Sequence, residues 1–245
     1  MCQKLSNTAG SSLLEKELGR FFKYPYLHRK QVLINGSEET TIPIITMEEK
    51  QYIVPAIWGI LPEEYSEDWH IFQNVLSSLS VNFDSLDNAS WFAKALLSRR
   101  CLIPVTGYFV SFLVHGVLYP YYFHLRSGLP FCLAGIYNRV EDGFLTCSII
   151  TAYSDFNLEN MQVPDRAMPV LLSKRLHDNW LNAALKEDDI NDLLKILPDF
   201  QLIAHPISKE FFNNNISYRS ILEPVDYDAV PEQIVLEQGF HILPY

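Results

Sequence analysis

Residues 99–114 read RRCLIPVTGYFVSFLV, a pair of arginines followed by two apolar runs. The short run from Cys101 to Pro104 and the longer run from Gly107 to Val114 are each typical of a β-strand. Three further apolar segments follow and are predicted strands: 117–125, 131–137 and 144–151. Turn residues separate them, namely His115-Gly116, Ser127-Gly128 and Asp142-Gly143. Hairpins spaced this closely predict an antiparallel sheet that closes into a barrel-like core.

Helical patterns lie on both sides of these strands. The spacing of apolar residues predicts helices at 12–22, 91–100, 176–185 and 188–197. Two more strands are predicted at 41–47 and 52–60. We therefore expect an α+β fold with an antiparallel, barrel-like β core and peripheral helices. Because no repeat, low-complexity stretch or Gly/Ser linker interrupts the chain, we expect a single domain over residues 1–245.

The composition limits the possible classes of protein. Hydrophobic residues make up 48% of the 245 residues, which is enough to bury a substantial core. The chain has 19 Lys and Arg against 29 Asp and Glu, a net charge of −10. This balance argues against a general nucleic-acid-binding surface, because clustered basic side chains bind phosphates. Two local clusters remain candidates for such binding, Arg99-Arg100 and Lys174-Arg175.

Targeting signals are not apparent in the sequence. No apolar run reaches the roughly 18 residues that a membrane span requires. Residues 1–10 are polar and lack the apolar region of a signal peptide. We expect a cytoplasmic monomer that does not bind a membrane.

The four cysteines are Cys2, Cys101, Cys132 and Cys147. None forms a CxxC pair, and no Cys/His cluster has the spacing of a zinc site, so we expect no metal. Three of them lie in apolar, strand-like runs and are predicted to be small buried hydrophobic residues. Cys2 differs because it directly follows Met1.

Eight short motifs follow one another along the chain. They are Met1-Cys2, 58–62 (WGILP), Val81-Asn82, 99–109 (RRCLIP followed by GYF), 134–137 (AGIY), 148–151 (SIIT), 168–172 (MPVLL) and 205–209 (HPISK). Each motif is a weak signal alone, although RRCLIPxxGYF is fairly specific. In this order and spacing, over residues 2–225, they resemble the SOS-response-associated peptidase (SRAP) family.

The resemblance implies both an activity and a set of site residues. The family is known for covalent capture of abasic sites in DNA through an N-terminal cysteine. It therefore implies that Cys2 and Asn82 are catalytic, that single-stranded or abasic DNA is the partner, and that no cofactor is used. The positions that correspond to substrate-binding residues are Trp58, Gly59, Pro104, Met168 and Pro169.

An N-terminal cysteine has the groups that this capture needs. An abasic site exposes an aldehyde, and a free α-amine with a pKa near 7.7 is partly neutral and forms an imine with it. The thiol of the same residue then closes a five-membered ring, because both nucleophiles are held together. The reaction requires removal of Met1, which a residue as small as Cys2 permits.

The departures from the family pattern are as informative as the matches. The family's catalytic Glu corresponds to Val110, and its catalytic His corresponds by spacing to Gln162. Four other functional positions differ as well: Ser111, Ala167, Asp84 and Leu86. Neither Val110 nor Gln162 transfers protons at useful rates, and losing such a group typically costs about 10²–10⁴-fold in rate. We expect impaired catalysis.

The sequence leaves two main functions open. One is a divergent SRAP protein that senses abasic or single-stranded DNA and crosslinks to it through Cys2. The other is a catalytically inactive pseudoenzyme that acts as a binding protein. A peptidase acting on another chain is a third hypothesis, without a visible Ser-His-Asp or Cys-His arrangement. We predict that Cys2, Trp58 and Asn82 converge on one groove.

Val110 and Gln162 are the two positions at which the catalytic residues of the family are replaced. We predict that Val110 and Gln162 flank Cys2, where the family keeps its acid/base pair. A shifted loop that brings Asp165 to Cys2 would instead create a relocated active site.

Overall fold

The computed structural model describes residues 3–83, 90–153, 161–164, 166–213, 216 and 218–236. The strands in these ranges are β1 (Lys4–Asn7), β2 (Phe21–Phe22), β3 (Gln31–Asn35), β4 (Thr41–Thr46), β5 (Tyr52–Trp58), β6 (Ser80–Asn82), β7 (Arg100–Val105), β8 (Gly107–Val114), β9 (Val117–Leu125), β10 (Phe131–Arg139), β11 (Leu145–Tyr153), β12 (Ala167–Pro169), β13 (Leu171–Leu172), β14 (Leu202–Pro206) and β15 (Ile234–Leu236). The α-helices are α1 (Ser11–Leu18), α2 (Trp69–Val75), α3 (Ser90–Ser98), α4 (His177–Trp180) and α5 (Glu187–Leu194). Short 3₁₀ helices include Lys209–Phe212 and Arg219–Leu222.

The strands form two sheets. One has the order β15-β14-β9-β8-β1-β3 and is antiparallel throughout. The other has the order β12-β11-β10-β7-β4-β5-β2, with β13 beside β10 and β6 beside β11. In this second sheet β11 also pairs with β5, which closes β11, β10, β7, β4 and β5 into a ring. The predicted α+β class with a barrel-like core is confirmed.

Three pairings are parallel rather than antiparallel. They join β11 to β5, β11 to β6, and β2 to β5. Each pairing joins strands that are far apart in the chain or separated by other elements. A hairpin pattern in the sequence therefore cannot predict these pairings. Of the consecutive strands β7 to β11, β8 with β9 and β10 with β11 form the predicted antiparallel hairpins, and β10 also pairs antiparallel with β7. The hairpin predicted at Ser127-Gly128 is wrong, because β9 and β10 belong to different sheets.

The quoted stretch 99–114 connects the two sheets. Strand β7 belongs to the ring, β8 belongs to the six-stranded sheet, and Thr106 is the one residue between them. At the start of β8, a Cβ atom on Gly107 would lie 2.3 Å from the Tyr122 ring and 2.6 Å from the Phe123 carbonyl oxygen. Only glycine allows the neighbouring strand to approach this closely.

Most predicted strands are confirmed almost to the residue, whereas some helices are shorter than predicted. Strands β8 and β9 have the predicted bounds. Helix α1 ends at Leu18 because Gly19 adopts a left-handed conformation, with φ of 65°, and caps it. The predicted helix 176–185 contains only the four-residue α4. Helix α2 and eight strands were not expected from the sequence, namely β1, β2, β3, β6, β12, β13, β14 and β15. Strand β2 occupies the end of the predicted helix 12–22.

Buried apolar side chains fill the space on both sides of the ring. One cluster lies between the sheets and includes Tyr108, Phe112, Phe123 and Leu133. A second cluster packs the helices against the outside of the ring and includes Leu14 from α1. None of the helices in the described residues is both long and apolar enough to cross a membrane.

Candidate functional site

A groove of about 390 Å³ opens beside the first strand. Its lining comes from four parts of the chain: the segment that starts β1, the middle of β8 with one residue of β9, residues 163–167, and the 3₁₀ helix Lys209–Phe212. The lining residues are Gln3, Lys4, Phe109, Val110, Ser111, Leu118, Val163, Pro164, Ala167, Phe211 and Phe212. The groove therefore joins the residues that directly follow Cys2 to Val110, Ser111 and Ala167, which the sequence predicts to be substituted family positions.

Backbone pairing brings these parts together. Strand β1 lies beside β8, with Leu5 opposite Tyr108 and Ser6 opposite Gly107. On the same strand, the Leu113 amide donates to the Gln162 carbonyl at 2.8 Å, and the Gln162 amide donates back at 3.1 Å. This bridge holds residues 161–164 against β8. The groove is thus built on a rigid sheet rather than on loops alone.

The groove is mainly apolar. Val110, which is predicted to stand at the family's Glu position, is 9% exposed and lies on the groove wall. Phe109, Phe211 and Phe212 contribute aromatic surface, and Ser111 contributes a hydroxyl group. Among the described lining residues, Lys4 is the only one whose side chain ionises.

Lys4 is anchored at the edge of this apolar wall. Its Nζ donates a hydrogen bond to the Phe211 carbonyl at 2.7 Å and lies 4.3 Å from the centre of the Phe211 ring. Partial burial lowers the pKa of the Lys4 amine below its usual value, while the charge of Glu38 acts in the opposite direction. Lys4, Phe211 and Phe212 were not predicted from the sequence to belong to a site. The position of Lys4 two residues after Cys2 was the one signal available for it.

Gln162 and Asn82 are not among the groove's lining residues. Gln162 is exposed and takes part through its backbone, as described above. Asn82 is half-buried at the end of β6, where it lies opposite Thr151 of β11. The roles predicted for both side chains stay predictions.

Trp58 and Gly59 have structural roles in this conformation. Trp58 is fully buried, and its indole N–H donates to the Leu79 carbonyl at 2.8 Å. Gly59 has a φ of 112°, and a Cβ atom there would lie 2.6 Å from Nε1 of Trp69. Trp58 is therefore part of the hydrophobic core and does not line the groove. The predicted contact of Trp58 and Gly59 with a substrate stays a prediction, and the burial of Trp58 does not support it.

The three remaining predicted substrate-binding residues are also buried. Pro104 lies in β7, and its carbonyl accepts a hydrogen bond from the Asn7 side-chain amide at 3.0 Å. Met168, which is 2% exposed, and Pro169 lie in β12 and line a small cavity of about 20 Å³ beside α5. That cavity is separate in its lining from the groove. The predicted contact of these residues with a substrate stays a prediction.

The two candidate basic clusters are mostly occupied within the protein. Arg100 is fully buried, and burial lowers its pKa to about 10, so the guanidinium is charged near neutral pH. Arg99 pairs with Glu63 and donates to Asn138. Arg175 forms an exposed ion pair with Asp199 at 3.0 Å. These pairings reduce what either cluster could offer to a phosphate backbone.

Several predicted residues lie outside the described residues. They are Cys2, Asp84, Leu86 and Asp165. The predicted convergence of Cys2 with Asn82, its flanking by Val110 and Gln162, and the alternative role of Asp165 therefore stay predictions. Within the described ranges, no group of three or more His, Cys, Asp or Glu side chains is arranged to hold a metal ion.

Three cysteines are predicted to be chemically inert in the folded protein. Cys101, Cys132 and Cys147 have no exposed surface, and burial raises the pKa of each thiol. Because the thiolate is the reactive form, we expect alkylation at pH 8 to be at least about 100-fold slower at these positions in native protein than in guanidinium. Mass spectrometry of iodoacetamide-treated samples measures this ratio. Rapid native modification of any of the three would contradict it.

Comparisons with known proteins agree on one family. Residues 1–214 match the model of the family described as SOS response associated peptidase (SRAP). The abasic site processing protein YoqW of Bacillus subtilis is 28% identical over 157 residues, which cover 62% of this chain and 67% of YoqW. The abasic site processing protein YMR114C of Saccharomyces cerevisiae is 26% identical over 147 residues, which cover 58% of this chain and 39% of YMR114C.

Solved structures show the same fold. A crystal structure of a protein from Bacteroides thetaiotaomicron has a TM-score of 0.79 at 24% identity, and the match covers 91% of this chain and 100% of that chain. A protein from Bordetella bronchiseptica has a TM-score of 0.66 at 14% identity, with 84% of this chain and 100% of that chain covered.

Proposed function

We propose that this chain, which belongs to the SOS response associated peptidase (SRAP) family, binds single-stranded DNA at an abasic site. Cys2 then captures the exposed aldehyde in a slow covalent reaction. The observation that carries the proposal is the groove of about 390 Å³. Gln3 and Lys4, which directly follow Cys2, line it together with Val110 and Ala167. Relatives named abasic site processing proteins support the choice of ligand.

The capture needs only groups that Cys2 itself provides once Met1 is removed. The neutral α-amine adds to the aldehyde carbon, and loss of water gives an imine. The Cys2 thiol then adds to the imine carbon, and its proton passes to the nitrogen, which closes a five-membered ring. The intramolecular second step is favoured because the thiol and the amine belong to one residue.

The capture of the aldehyde is expected to be slow because the described lining residues of the groove include no carboxyl or imidazole group to act as a general acid or base. A carboxylate at position 110 would donate and accept the protons that imine formation moves, whereas Val110 has no such group. Among the described lining residues, none is an Asp, a Glu or a His. Proton transfer then depends on water or buffer, and the expected cost is about 10²–10⁴-fold in rate.

Binding is expected to be weak and sensitive to salt. Lys4 is the one basic side chain among the groove's described lining residues, and the chain carries a net charge of −10. Affinity for the phosphate backbone rises with the number of basic contacts and falls as salt increases.

The first test is a crosslinking assay with an oligonucleotide that contains one abasic site. The protein is checked by mass spectrometry for removal of Met1 and is then incubated with the DNA and run on a denaturing gel. We expect a crosslink that forms over hours and that Cys2→Ala reduces at least about tenfold, since the ring-closing thiol is lost. Cys101→Ala, which alters a buried thiol, is the matched control and should leave the crosslink unchanged.

The outcomes of this test are distinct. Equal crosslinking by Cys2→Ala would show that other amines capture the aldehyde. Fast, near-complete crosslinking by the unaltered protein would show that having Val110 in place of a Glu does not slow the reaction. The absence of any crosslink with a free Cys2 amine would contradict the proposal.

A second candidate function is supported by the apolar character of the groove. Phe109, Val110, Leu118, Phe211 and Phe212 give it a surface that suits an apolar ligand better than a phosphate backbone. In this case the protein is a pseudoenzyme that binds a partner without DNA chemistry. Intact and abasic oligonucleotides would then bind equally weakly, and neither would crosslink.

A further inference from the structure

Lys4 stands out because of its surroundings. Ten of the eleven described lining residues of the groove have no ionisable side chain, and Lys4 is the exception. Phe211 fixes its Nζ through a carbonyl at 2.7 Å and a ring centre at 4.3 Å. A primary amine is thus held at the edge of an apolar groove large enough for a sugar-sized ligand.

We propose that Lys4 is a second aldehyde-reactive amine of this groove, which forms a reversible imine with the same class of ligand as Cys2. The inference rests on the proposed function for the identity of the DNA ligand, but the reactivity of Lys4 is a property of the groove itself. It adds to the N-terminal chemistry an ε-amine that the Cys2 mechanism does not use.

The chemistry balances without an added oxidant or reductant. The neutral Nζ adds its electron pair to the aldehyde carbon, and a proton moves from nitrogen to the oxygen to give a carbinolamine. Loss of one water molecule then forms the carbon–nitrogen double bond. Addition of water reverses both steps, so the imine accumulates only while the ligand remains bound.

Two properties of the site favour this reaction. Partial burial lowers the pKa of the Lys4 amine, although the charge of Glu38 opposes the shift, so a larger share of Lys4 is neutral than for an exposed lysine. Desolvation of a lysine in an apolar pocket is an established way to activate it as a nucleophile. The contacts with Phe211 also limit the number of side-chain conformations that must be ordered when the ligand arrives.

The position of Lys4 in the chain allows both amines to act on one ligand. Only Gln3 separates it from Cys2, and the covalent chain limits the Cα atoms of Lys4 and Cys2 to about 7 Å apart. An aldehyde held in the groove is therefore within side-chain reach of Lys4, which lines the groove.

The first experiment uses a small aldehyde and no DNA. The full chain is incubated with 2-deoxyribose 5-phosphate and sodium cyanoborohydride, which transfers a hydride to the imine carbon and makes the bond permanent. Peptide mapping then gives the labelling rate of each lysine. We expect Lys4 to be labelled at least about fivefold faster than exposed Lys195, because more of it is neutral and the groove binds the sugar. Labelling of Lys4 no faster than Lys195 would overturn the proposal.

The second experiment uses abasic single-stranded DNA with and without cyanoborohydride. Cys2→Ala is compared with the double variant Cys2→Ala/Lys4→Arg, which keeps the positive charge but has no nucleophilic amine at working pH. We expect a trapped adduct in Cys2→Ala that falls at least about fivefold in the double variant. The control Cys2→Ala/Lys195→Arg should retain it, and circular dichroism checks that each variant is folded.

Peptide mapping separates adducts at Lys4 from adducts at the N-terminal amine. A DNA adduct found at the N-terminus and not at Lys4 overturns the Lys4 proposal and leaves the proposed function in place. Labelling of Lys4 by the small aldehyde, with no DNA adduct under any condition, supports the reactive amine and contradicts the proposed function.

Discussion

Replacing Val110 with Glu is expected to increase the rate of crosslinking to abasic DNA by about 10- to 100-fold. Val110 lies on the groove wall with Gln3 and Lys4, and it is predicted to stand at the family's Glu position. A carboxyl group there would move protons during imine formation and water loss. Its apolar surroundings would raise the pKa of the new carboxyl group toward neutrality, which suits an acid that must also act as a base.

The matched control is Val110→Gln, which has the size and polarity of Glu but transfers no proton. We expect no more than about a twofold change for this variant. The Glu variant should also acquire a pH dependence of its rate that the Gln variant lacks. Single-turnover rates from denaturing gels, measured over pH 5 to 9, provide both readouts. Equal acceleration by Val110→Gln would show that polarity, and not acid/base catalysis, limits the unaltered protein.

The variant Val110→Glu is also expected to be less stable than the unaltered protein. Burying a carboxyl group without a full set of hydrogen bonds costs about 1–3 kcal/mol. Thermal unfolding of each variant should therefore precede the kinetic comparison, because an unfolded fraction would lower the apparent rate.

Replacing Arg100 with Met is expected to lower the free energy of unfolding by about 3 kcal/mol. The Arg100 guanidinium joins the end of α3 to the segment after α4. Its four hydrogen bonds reach the carbonyl oxygens of Leu96, Leu97, Trp180 and Asn182 at distances between 2.6 and 2.8 Å. Met fills part of the volume but leaves the buried carbonyls of Leu96 and Trp180 without a donor, each at a cost of about 1–3 kcal/mol.

Arg99 provides the comparison for Arg100. Its guanidinium is partly exposed and pairs with Glu63, so we expect Arg99→Ala to cost at most about 1 kcal/mol. Guanidinium-induced unfolding followed by circular dichroism measures both variants. Arg100→Lys should fall between Met and Arg, because one ammonium group cannot reach all four carbonyls. A loss below about 1 kcal/mol for Arg100→Met would mean that water replaces the guanidinium at little cost.

The adjacent arginines show how much a motif can reveal without its tertiary context. The sequence RRCLIP supports the family assignment, yet the same letters also favour a basic surface cluster. In the structure, Arg100 begins β7 and points inward to carbonyl groups about 80 residues further along the chain, those of Trp180 and Asn182. A buried arginine and an exposed one look alike in a sequence, because the difference lies in partners that are distant in the chain.

The sequence by itself determined the β8–β9 and β10–β11 hairpins, because apolar runs separated by turn residues are local patterns. It also determined the family, because the order of the eight motifs does not depend on packing, and it predicted that Val110 replaces the family's Glu. These features need no contact between distant residues.

Only the tertiary structure decided how the strands close and which residues form the groove. The pairing of β5 with β11 closes the ring and buries Trp58, which the motif WGILP had indicated as a substrate-binding residue. The groove combines Lys4, Val110 and Phe211, which are separated by 106 and 101 positions along the chain. No local pattern specifies such a combination, because it results from the pairing of β1 with β8 and from the packing of residues 209–212 against them.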